Sequence, residues 1–288
     1  MKRTIEKVLA EGKSLLKDAH IRTWALDGEI LLAHVLTFSR VQLFTHSKDE
    51  ISEEQEKAYK ELIYKRLEGA PTQYLTNEQE FMSLPFYVDS SVLIPRQDTE
   101  ILVETALEFI DKDKEFQVLD VCTGSGCIGI SIAYYAPLSQ VIGIDISEDA
   151  LKVARYNAKL NKVNDRVHFI KSNLFGEVPK NLKGTVDMIV SNPPYIPTEE
   201  IKELMKEVNA YEPTIALDGG KDGLDFYRLI VKDGKEYLKS GGILLFEIGY
   251  NQGDDVVHLL KSQNFTEIEI KKDLAGLNRV VFGIKEQR

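Results

Sequence analysis

Cysteine is scarce in this 288-residue sequence, which contains only Cys122 and Cys127. Two cysteines are too few for a disulfide framework, and their spacing is not that of a zinc site. They suit a protein of the reducing cytosol. The sequence also lacks an apolar run of about 18 residues that could span a bilayer, and its first residues lack the apolar core of a secretory signal. We therefore expect a cytoplasmic protein that does not enter the membrane.

Histidine and positive charge are also limited. The five histidines are scattered without paired spacing, so we expect no catalytic metal. Lys and Arg number 36 against 46 Asp and Glu, which gives a net charge of −10. An acidic chain is poorly suited to binding nucleic-acid phosphates, so we expect no direct nucleic-acid binding. The hydrophobic content of 43% and charged content of 28% are typical of a folded globular protein.

Residues 1–75 predict a small helical domain. Apolar residues such as Ala25, Ile30 and Val35 recur at helical spacing, and Ser52 with Gln55 has the spacing of a capping box at the start of a helix. This stretch has 12 basic and 12 acidic residues, so the remaining chain carries all of the net charge. We place a domain boundary near residue 75 and a β-hairpin linker over residues 76–95.

From residue 96 onwards the pattern alternates between helices and Val- or Ile-rich strands. This alternation predicts a parallel sheet with helices on both faces. The predicted strands are 117–122, 140–145, 166–171, 186–191, 242–248, 266–271 and 279–284. The last two are joined by a polar turn and should pair antiparallel. The expected fold class is therefore α/β, with a seven-stranded Rossmann-like domain over residues 96–288.

A glycine-rich turn follows the first of these strands. Glycines allow positive φ and a close approach of the backbone to a ligand, and the helix that follows presents free N–H groups. The candidate cofactor-binding residues of this turn are Asp120, Cys122, Thr123, Gly124, Ser125 and Gly126. Together with Gly129 the turn satisfies G-x-G-x-x-G, so a nicotinamide cofactor is one alternative. Asp120 favours S-adenosylmethionine instead, because a carboxylate before the turn suits the ammonium group of its methionine part.

Two further strand ends carry candidate cofactor residues. Asp145 ends the second strand, where a carboxylate accepts hydrogen bonds from both ribose hydroxyls. Asn173 follows the third strand, and its amide is placed either to bind the adenine edge, with Leu174 and Phe175 against the ring, or simply to form a turn. These positions predict a ligand site at the carboxyl ends of the strands.

The tetrapeptide Asn192-Pro193-Pro194-Tyr195 follows the fourth strand and suggests the chemistry. The prolines remove two N–H donors and fix two φ angles. Asn192 and the Pro193 carbonyl offer oxygen acceptors to a planar –NH₂ group, and Tyr195 offers a flat face to the same group. Two such acceptors favour a pyramidal nitrogen whose lone pair is aimed at a methyl donor, which stabilises the transition state more than the ground state. Read alone, the tetrapeptide is equally compatible with a rigid turn.

With these motifs in place, the sequence resembles the HemK/PrmC family of release factor glutamine N5-methyltransferases over nearly its whole length. The segments that carry the resemblance are Phe86–Glu100, the turn at 120–126, Asp145, Asn192–Tyr195, Tyr211–Pro213 and Ala216–Leu224. Two departures stand out. The family usually has glycine where Cys122 stands, and because cysteine is small we expect the turn to survive, provided that φ is negative there. Asn173-Leu174 replaces a more typical Asp and aromatic residue.

The resemblance implies a fold, a reaction and partners. The fold would be a methyltransferase domain preceded by a small all-α domain that helps to recognise the release factor. The methyl donor would be S-adenosyl-L-methionine. The acceptor would be the glutamine amide in the Gly-Gly-Gln motif of class I peptide chain release factors. Asn192, Pro193 and Tyr195 would act at that amide, with Pro194 and Arg96 also binding substrate and Asn192 also contacting the cofactor. A monomer that binds its partner transiently is the expected state.

Other interpretations stay open at this point. Adenine N6-methylation of nucleic acid shares the Asn-Pro-Pro-Tyr motif, and a non-catalytic cofactor-binding module would share the glycine-rich turn. Arg96 either borders the acceptor channel or forms a salt bridge at a helix start. Glu247 either touches the site or is a buried acid with satisfied hydrogen bonds.

Overall fold

The computed structural model describes residues 3–286 and divides into two compact units. One unit is the chain up to Glu78 together with Met205–Tyr211, and the other is Gln79–Leu204 together with the chain from Glu212 onwards. The sequence analysis assigned 205–211 to the domain at 96–288, and nothing in the sequence pattern indicated that this segment packs with the helical unit.

The helical unit is built from amphipathic helices around an apolar core. Its helices are α1 (Ile5–Asp18), α2 (Trp24–Leu36), α3 (Arg40–Thr45), α4 (Glu53–Leu67) and α5 (Thr72–Thr76). The capping box predicted at the start of α4 is confirmed: Ser52 Oγ accepts from Gln55 N at 3.2 Å, and Gln55 Oε1 accepts from Ser52 N at 3.0 Å. These two bonds satisfy N–H groups that the first turn of a helix leaves without partners.

A buried arginine anchors the segment 205–211 to the helical unit. The side chain of Arg66 is only 4% exposed, and its Nε lies 2.8 Å from Asp27 Oδ2. Its guanidinium also lies 2.7 Å from Glu207 Oε1. Glu207 belongs to the short helix α9 (Lys206–Asn209), which the sequence analysis did not predict. Two carboxylates therefore neutralise one buried guanidinium, as a buried charge requires.

The second unit contains the predicted α/β sheet. Its elements are the hairpin β1 (Glu78–Phe81) and β2 (Leu84–Tyr87), then α6 (Gln97–Glu108), β3 (Phe116–Val121), α7 (Cys127–Tyr135), β4 (Ser139–Asp145), α8 (Glu148–Leu160), β5 (Val167–Lys171), β6 (Val186–Ser191), α10 (Asp225–Tyr237), β7 (Leu238–Glu247), α11 (Gly253–Ser262), β8 (Phe265–Lys272) and β9 (Asn278–Lys285). Most predicted limits agree within two residues, but β7 begins four residues before the predicted position. The four extra residues, 238–241, end in Gly241, and a glycine gives little strand signal.

The seven-stranded sheet has the order β5-β4-β3-β6-β7-β9-β8. The first five strands are parallel, and the predicted antiparallel pairing of the last two strands is confirmed. Apolar layers cover both faces, one including Leu102, Ile130 and Val190 and the other including Leu119 and Ile189. The predicted fold class is thus confirmed. In the sheet, β4 and β6 lie on opposite sides of β3, so the strand order reverses at β3. Such a reversal opens a crevice at the carboxyl ends of the strands.

The hairpin is held against the sheet unit by side chains from its helices. Asn157 on α8 accepts from Tyr87 N at 2.7 Å and donates to Tyr87 O at 3.0 Å. Glu100 on α6 accepts from Met82 N at 2.6 Å, and Tyr135 on α7 donates to Met82 O at 2.6 Å. These bonds fix the chain that leads from the hairpin to the cleft. Within residues 3–286, none of the helices combines the length and apolar character needed to cross a membrane.

Candidate active site

A cleft lies at the carboxyl ends of the central strands and encloses about 1030 Å³ of empty space, part of it open to solvent. Most of the predicted site residues line it: Arg96, Cys122, Thr123, Gly124, Ser125, Asp145, Asn173, Leu174, Asn192 and Pro194. Four predicted residues lie outside this lining: Asp120, Gly126, Pro193 and Tyr195. Each of them is within two positions in sequence of a residue that lines the cleft. The sheet therefore gathers side chains that are up to about 100 residues apart in sequence.

The glycine-rich turn is left-handed at three positions. The φ angles are +60° at Cys122, +54° at Gly124 and +81° at Gly126. The condition of a negative φ at Cys122 is not met, and the turn forms with this non-glycine residue in the left-handed region. A Cβ on Gly124 would meet nothing within 4 Å, so the backbone there borders open space. A Cβ on Gly126 would lie 2.9 Å from Ile130, which explains the glycine at that position.

Asp120 braces the turn from inside the protein. The residue is fully buried, and its Oδ2 accepts from Thr123 Oγ1 at 2.6 Å and from Gly129 N at 3.0 Å. Its Oδ1 has no hydrogen-bond partner among the described residues. Burial raises the pKa of Asp120 to about 7, since a carboxylate loses its hydration there. The geometry makes Asp120 a support for the turn, and its contact with an ammonium group stays a prediction.

Asp145 occupies the end of β4 and faces the cleft. Its Oδ2 accepts from Gly124 N at 2.9 Å and its Oδ1 from Ser147 N at 2.9 Å. These bonds fix the carboxylate, and each oxygen keeps a lone pair for a second donor. Leu174 lies beside Asn173 in the cleft lining with a φ of +49°. Phe175, expected against an adenine ring, instead packs in the core, where it stacks on Tyr237 at 5.1 Å.

Asn192 lies at the end of β6 with its amide oriented by a neighbouring hydroxyl. Its Nδ2 donates to Thr99 Oγ1 at 3.3 Å. Because the –NH₂ group is engaged there, Oδ1 is the acceptor that this side chain offers to the cleft. The Tyr195 hydroxyl donates to Glu247 Oε1 at 3.4 Å, and the Tyr195 ring packs partly against the apolar layer. Burial raises the pKa of Tyr195, so its hydroxyl stays protonated.

A glycine-rich loop supports the Asn-Pro-Pro-Tyr segment from behind. Gly219 N donates to Ile196 O at 2.9 Å, and a Cβ on Gly219 would lie only 2.7 Å from Tyr195 Cα. Gly223 has a φ of +74°, and a Cβ there would lie 2.3 Å from Tyr195 O. Gln252, the residue before α11, donates its side-chain amide to Tyr195 O at 2.9 Å. The Ala216–Leu224 segment is glycine-rich because the backbone of the Asn-Pro-Pro-Tyr segment passes directly against it.

The salt bridge at a helix start is confirmed for Arg96, whereas its place beside an acceptor channel stays a prediction. Arg96 lines the cleft. It stands at the start of α6, and from there it also pairs with Oε1 of the buried Glu212. The Arg96 side chain is 41% exposed, so its ion pair does not remove it from solvent. The pair ties the start of α6 to the Tyr-Glu-Pro segment next to the cleft.

Comparisons with known proteins agree with this geometry. The description "PrmC N-terminal domain" matches residues 7–76, and "Methyltransferase small domain" matches residues 97–210. A protein of Clostridium acetobutylicum named "Release factor glutamine methyltransferase" is 43% identical over 281 residues, which cover 98% of each chain. A protein of the same name from Clostridium botulinum is 43% identical over 277 residues, which cover 96% of this chain and 98% of that one.

The chain belongs to the release factor glutamine methyltransferase family. The predicted resemblance is thereby confirmed, as is the prediction that the protein is a methyltransferase. A solved methyltransferase from Pyrococcus furiosus shares the fold, with a TM-score of 0.52 at 19% identity over 72% of this chain and 91% of that chain. Among residues 3–286 no group of three or more His, Cys, Asp or Glu side chains is arranged to bind a metal ion.

Several residues that shape the site of this family member were missed by sequence reasoning. They are Thr99, which binds the Asn192 amide, Glu212, which binds Arg96, and Gln252, which binds the Tyr195 carbonyl. Each lies on a different element from the residue that it contacts, so no local spacing indicates the pair. Only the family segments containing Thr99 and Glu212 gave any signal.

Proposed function

We propose that this protein transfers a methyl group from S-adenosyl-L-methionine to the side-chain amide nitrogen of the glutamine in the Gly-Gly-Gln motif of class I peptide chain release factors. The relatives that match the whole chain carry a name that specifies release factors and glutamine. The site supports the same chemistry, because a largely apolar cleft with the fixed carboxylate of Asp145 lies beside an oxygen acceptor that is suited to an –NH₂ group. The helical unit would contribute to recognition of the release factor, and the cytoplasm, where translation occurs, would be the location.

The cleft residues fit S-adenosyl-L-methionine. The Asp145 carboxylate is fixed by two backbone N–H groups and offers free lone pairs to ribose hydroxyls. The backbone at Gly124 borders open space, which admits the methionine part. Leu174 supplies an apolar wall and Asn173 an amide for the adenine. When bound, this cofactor supplies an activated methyl group, and the protein contributes binding, orientation and electrostatics.

The acceptor amide would be held by the Asn-Pro-Pro-Tyr segment. One N–H would go to Asn192 Oδ1 and the other to the Pro193 carbonyl, while Tyr195 and Pro194 would pack beside the amide. An amide nitrogen is a weak nucleophile because its lone pair is delocalised, and two acceptors favour the pyramidal form that it reaches in the transition state. Alignment of the reacting atoms supplies about 7–11 kcal/mol more. The nitrogen would gain the methyl group as the bond between that group and the sulfonium sulfur breaks, and it would release one proton to solvent.

The observation that carries this proposal is the bond from Asn192 Nδ2 to Thr99 Oγ1, which leaves Oδ1 as the acceptor in the cleft. The test incubates the protein with radiolabelled methyl donor and a class I release factor, and repeats the assay with a release factor whose motif glutamine is replaced by alanine. We expect label only on the unaltered factor. Equal labelling of both factors, or labelling of DNA or RNA in a parallel reaction, contradicts the proposal.

Substitution of the acceptor residue gives the second arm of this test. Asn192→Ala should lower the rate about 10²–10³-fold, as for loss of one preorganised transition-state hydrogen bond. The matched control is Asn181→Ala, at an exposed asparagine in the turn Lys180–Leu182. It should keep the wild-type rate.

A further inference from the structure

Glu247 is a buried acid next to the site that the proposed mechanism does not use. It ends β7 and is only 2% exposed. Its Oε1 accepts from the Tyr195 hydroxyl at 3.4 Å, and its Oε2 has no hydrogen-bond partner among the described residues. The Tyr227 hydroxyl donates to the backbone carbonyl of Glu247 at 2.9 Å, and this bond fixes the main chain at residue 247. A carboxylate held in the core with an unsatisfied oxygen is costly, so a role beyond packing is expected of it.

Thr99 lies between this acid and Asn192. Its hydroxyl lies close enough to the Glu247 carboxyl group to lower the pKa of that group, as a hydrogen-bond donor does. The same Oγ1 accepts from Asn192 Nδ2 at 3.3 Å. A hydroxyl carries only one hydrogen. If Thr99 gives its hydrogen to the carboxylate, its oxygen is left as an acceptor and Asn192 must present –NH₂ to it. The ionised acid therefore decides which way the Asn192 amide faces.

We propose that Glu247 is a positioning residue that, through Thr99, keeps the Asn192 amide oxygen directed to the glutamine –NH₂ while also holding Tyr195 by its hydroxyl. The inference rests on the proposed function. It concerns residues on three separate segments: the end of β7, the first turn of α6 and the Asn-Pro-Pro-Tyr segment after β6. Through Asn192 Oδ1 and Tyr195, the arrangement acts on the two groups to which the proposed function assigns the acceptor amide.

Protonation of Glu247 would reverse this arrangement. A protonated carboxyl group is itself a donor, so Thr99 would be free to turn its hydrogen towards Asn192 Oδ1. Burial is the main cause that raises the pKa of Glu247, to about 7. The ionisable groups that act on it come from five other parts of the chain. Arg279 on β9 favours ionisation and Asp98 on α6 opposes it. The other three are Tyr195, Tyr227 on α10 and the buried thiol of Cys127 on α7.

The test compares Glu247→Gln with the wild type in single-turnover methylation of a release factor at saturating cofactor, from pH 5.5 to 9. Wild-type rates should fall as the pH drops below about 7, because the active form is ionised. A glutamine has one oxygen for two hydroxyl donors, so the variant should be about 10- to 100-fold slower, in line with the effect of small misplacements. Its rate should be independent of pH across this range, with an unchanged KM for the release factor.

Thr99 variants separate positioning from simple damage to the fold. Thr99→Val should reproduce both the loss of rate and the loss of the pH limb, Thr99→Ser should restore both, and the double variant Glu247→Gln/Thr99→Val should be no slower than either single variant. S-adenosylhomocysteine should bind all variants with the wild-type Kd, which reports an intact cofactor site. Glu269→Gln, at an exposed acid on β8, is the matched control and should behave as the wild type.

Four outcomes contradict these arguments. A Glu247→Gln enzyme with the wild-type rate overturns the inference and leaves the proposed function standing. A slow variant that keeps the wild-type pH limb, or additive losses in the double variant, also overturns it. Failure of the wild type to label the release factor overturns the proposed function itself, and this inference with it.

Discussion

Replacement of Gly219 by alanine should damage catalysis through the backbone of the acceptor segment. An added Cβ would lie 2.7 Å from Tyr195 Cα and 2.8 Å from its carbonyl carbon, about 0.7 Å closer than the 3.4 Å of ordinary contact. Backbone atoms cannot rotate away as a side chain can, so the Tyr195 segment must move. Overpacking of this kind costs about 1–3 kcal/mol of stability. A displacement approaching 1 Å near reacting groups lowers a rate by about 10²-fold.

The assay measures the free energy of unfolding by denaturant titration, and the methylation rate well below the unfolding transition. The matched control is Gly184→Ala, where φ is +75° and a Cβ would meet nothing within 4 Å. A left-handed alanine costs about 1–2 kcal/mol, so this control should lose similar stability and no activity. A Gly219→Ala enzyme that is folded and works at the wild-type rate would refute the argument that this glycine sets the position of Tyr195.

Three further predictions concern the turn, the cofactor cleft and the helical unit. Cys122→Gly should keep or raise the free energy of unfolding, because it removes a left-handed side chain that costs about 1–2 kcal/mol. Cys122→Val should lower the free energy of unfolding, and a valine variant that is more stable in denaturant titration would contradict the positive φ. Asp145→Ala should weaken S-adenosylhomocysteine binding by about 1.5–3 kcal/mol per charged hydrogen bond lost, and calorimetry that gives the wild-type Kd would exclude Asp145 as a ligand. Arg66→Ala should lower the free energy of unfolding by about 3–5 kcal/mol, since this change leaves Asp27 buried without its cation. The control Lys152→Ala removes an exposed ion pair and should change the free energy of unfolding by less than about 1 kcal/mol.

The order of elements in the sheet unit could be predicted from the sequence because each signal is local. Val- and Ile-rich runs, the glycine-rich turn and the antiparallel final pair all depend on residues within about ten positions of one another. The same holds for the capping box at Ser52. The return of 205–211 to the helical unit was not predictable, because it depends on Glu207 meeting Arg66, more than 100 residues earlier.

The candidate site could be predicted in its motif residues but not in the contacts that hold them. Asp145 and Asn192 were identified because each ends a strand at the edge where parallel strands meet. The left-handed Cys122 was not, because a side chain other than glycine argues against positive φ. The Thr99 and Glu247 contacts were also missed: one lies in a helix and the other ends a strand, and no periodicity connects them to residue 192.

The packing of Met205–Tyr211 has a consequence for dissecting the protein. An expression product that starts after Glu78 would retain every residue of the cleft, yet it would lack Arg66, the cation to which Glu207 is bound. The loop between the Asn-Pro-Pro-Tyr segment and Glu212 would then have lost its anchor in the middle. Removal of the helical unit would therefore also alter this loop. If a truncated enzyme is slow, the loss could be assigned to release-factor recognition only after the loop had been shown to stay ordered.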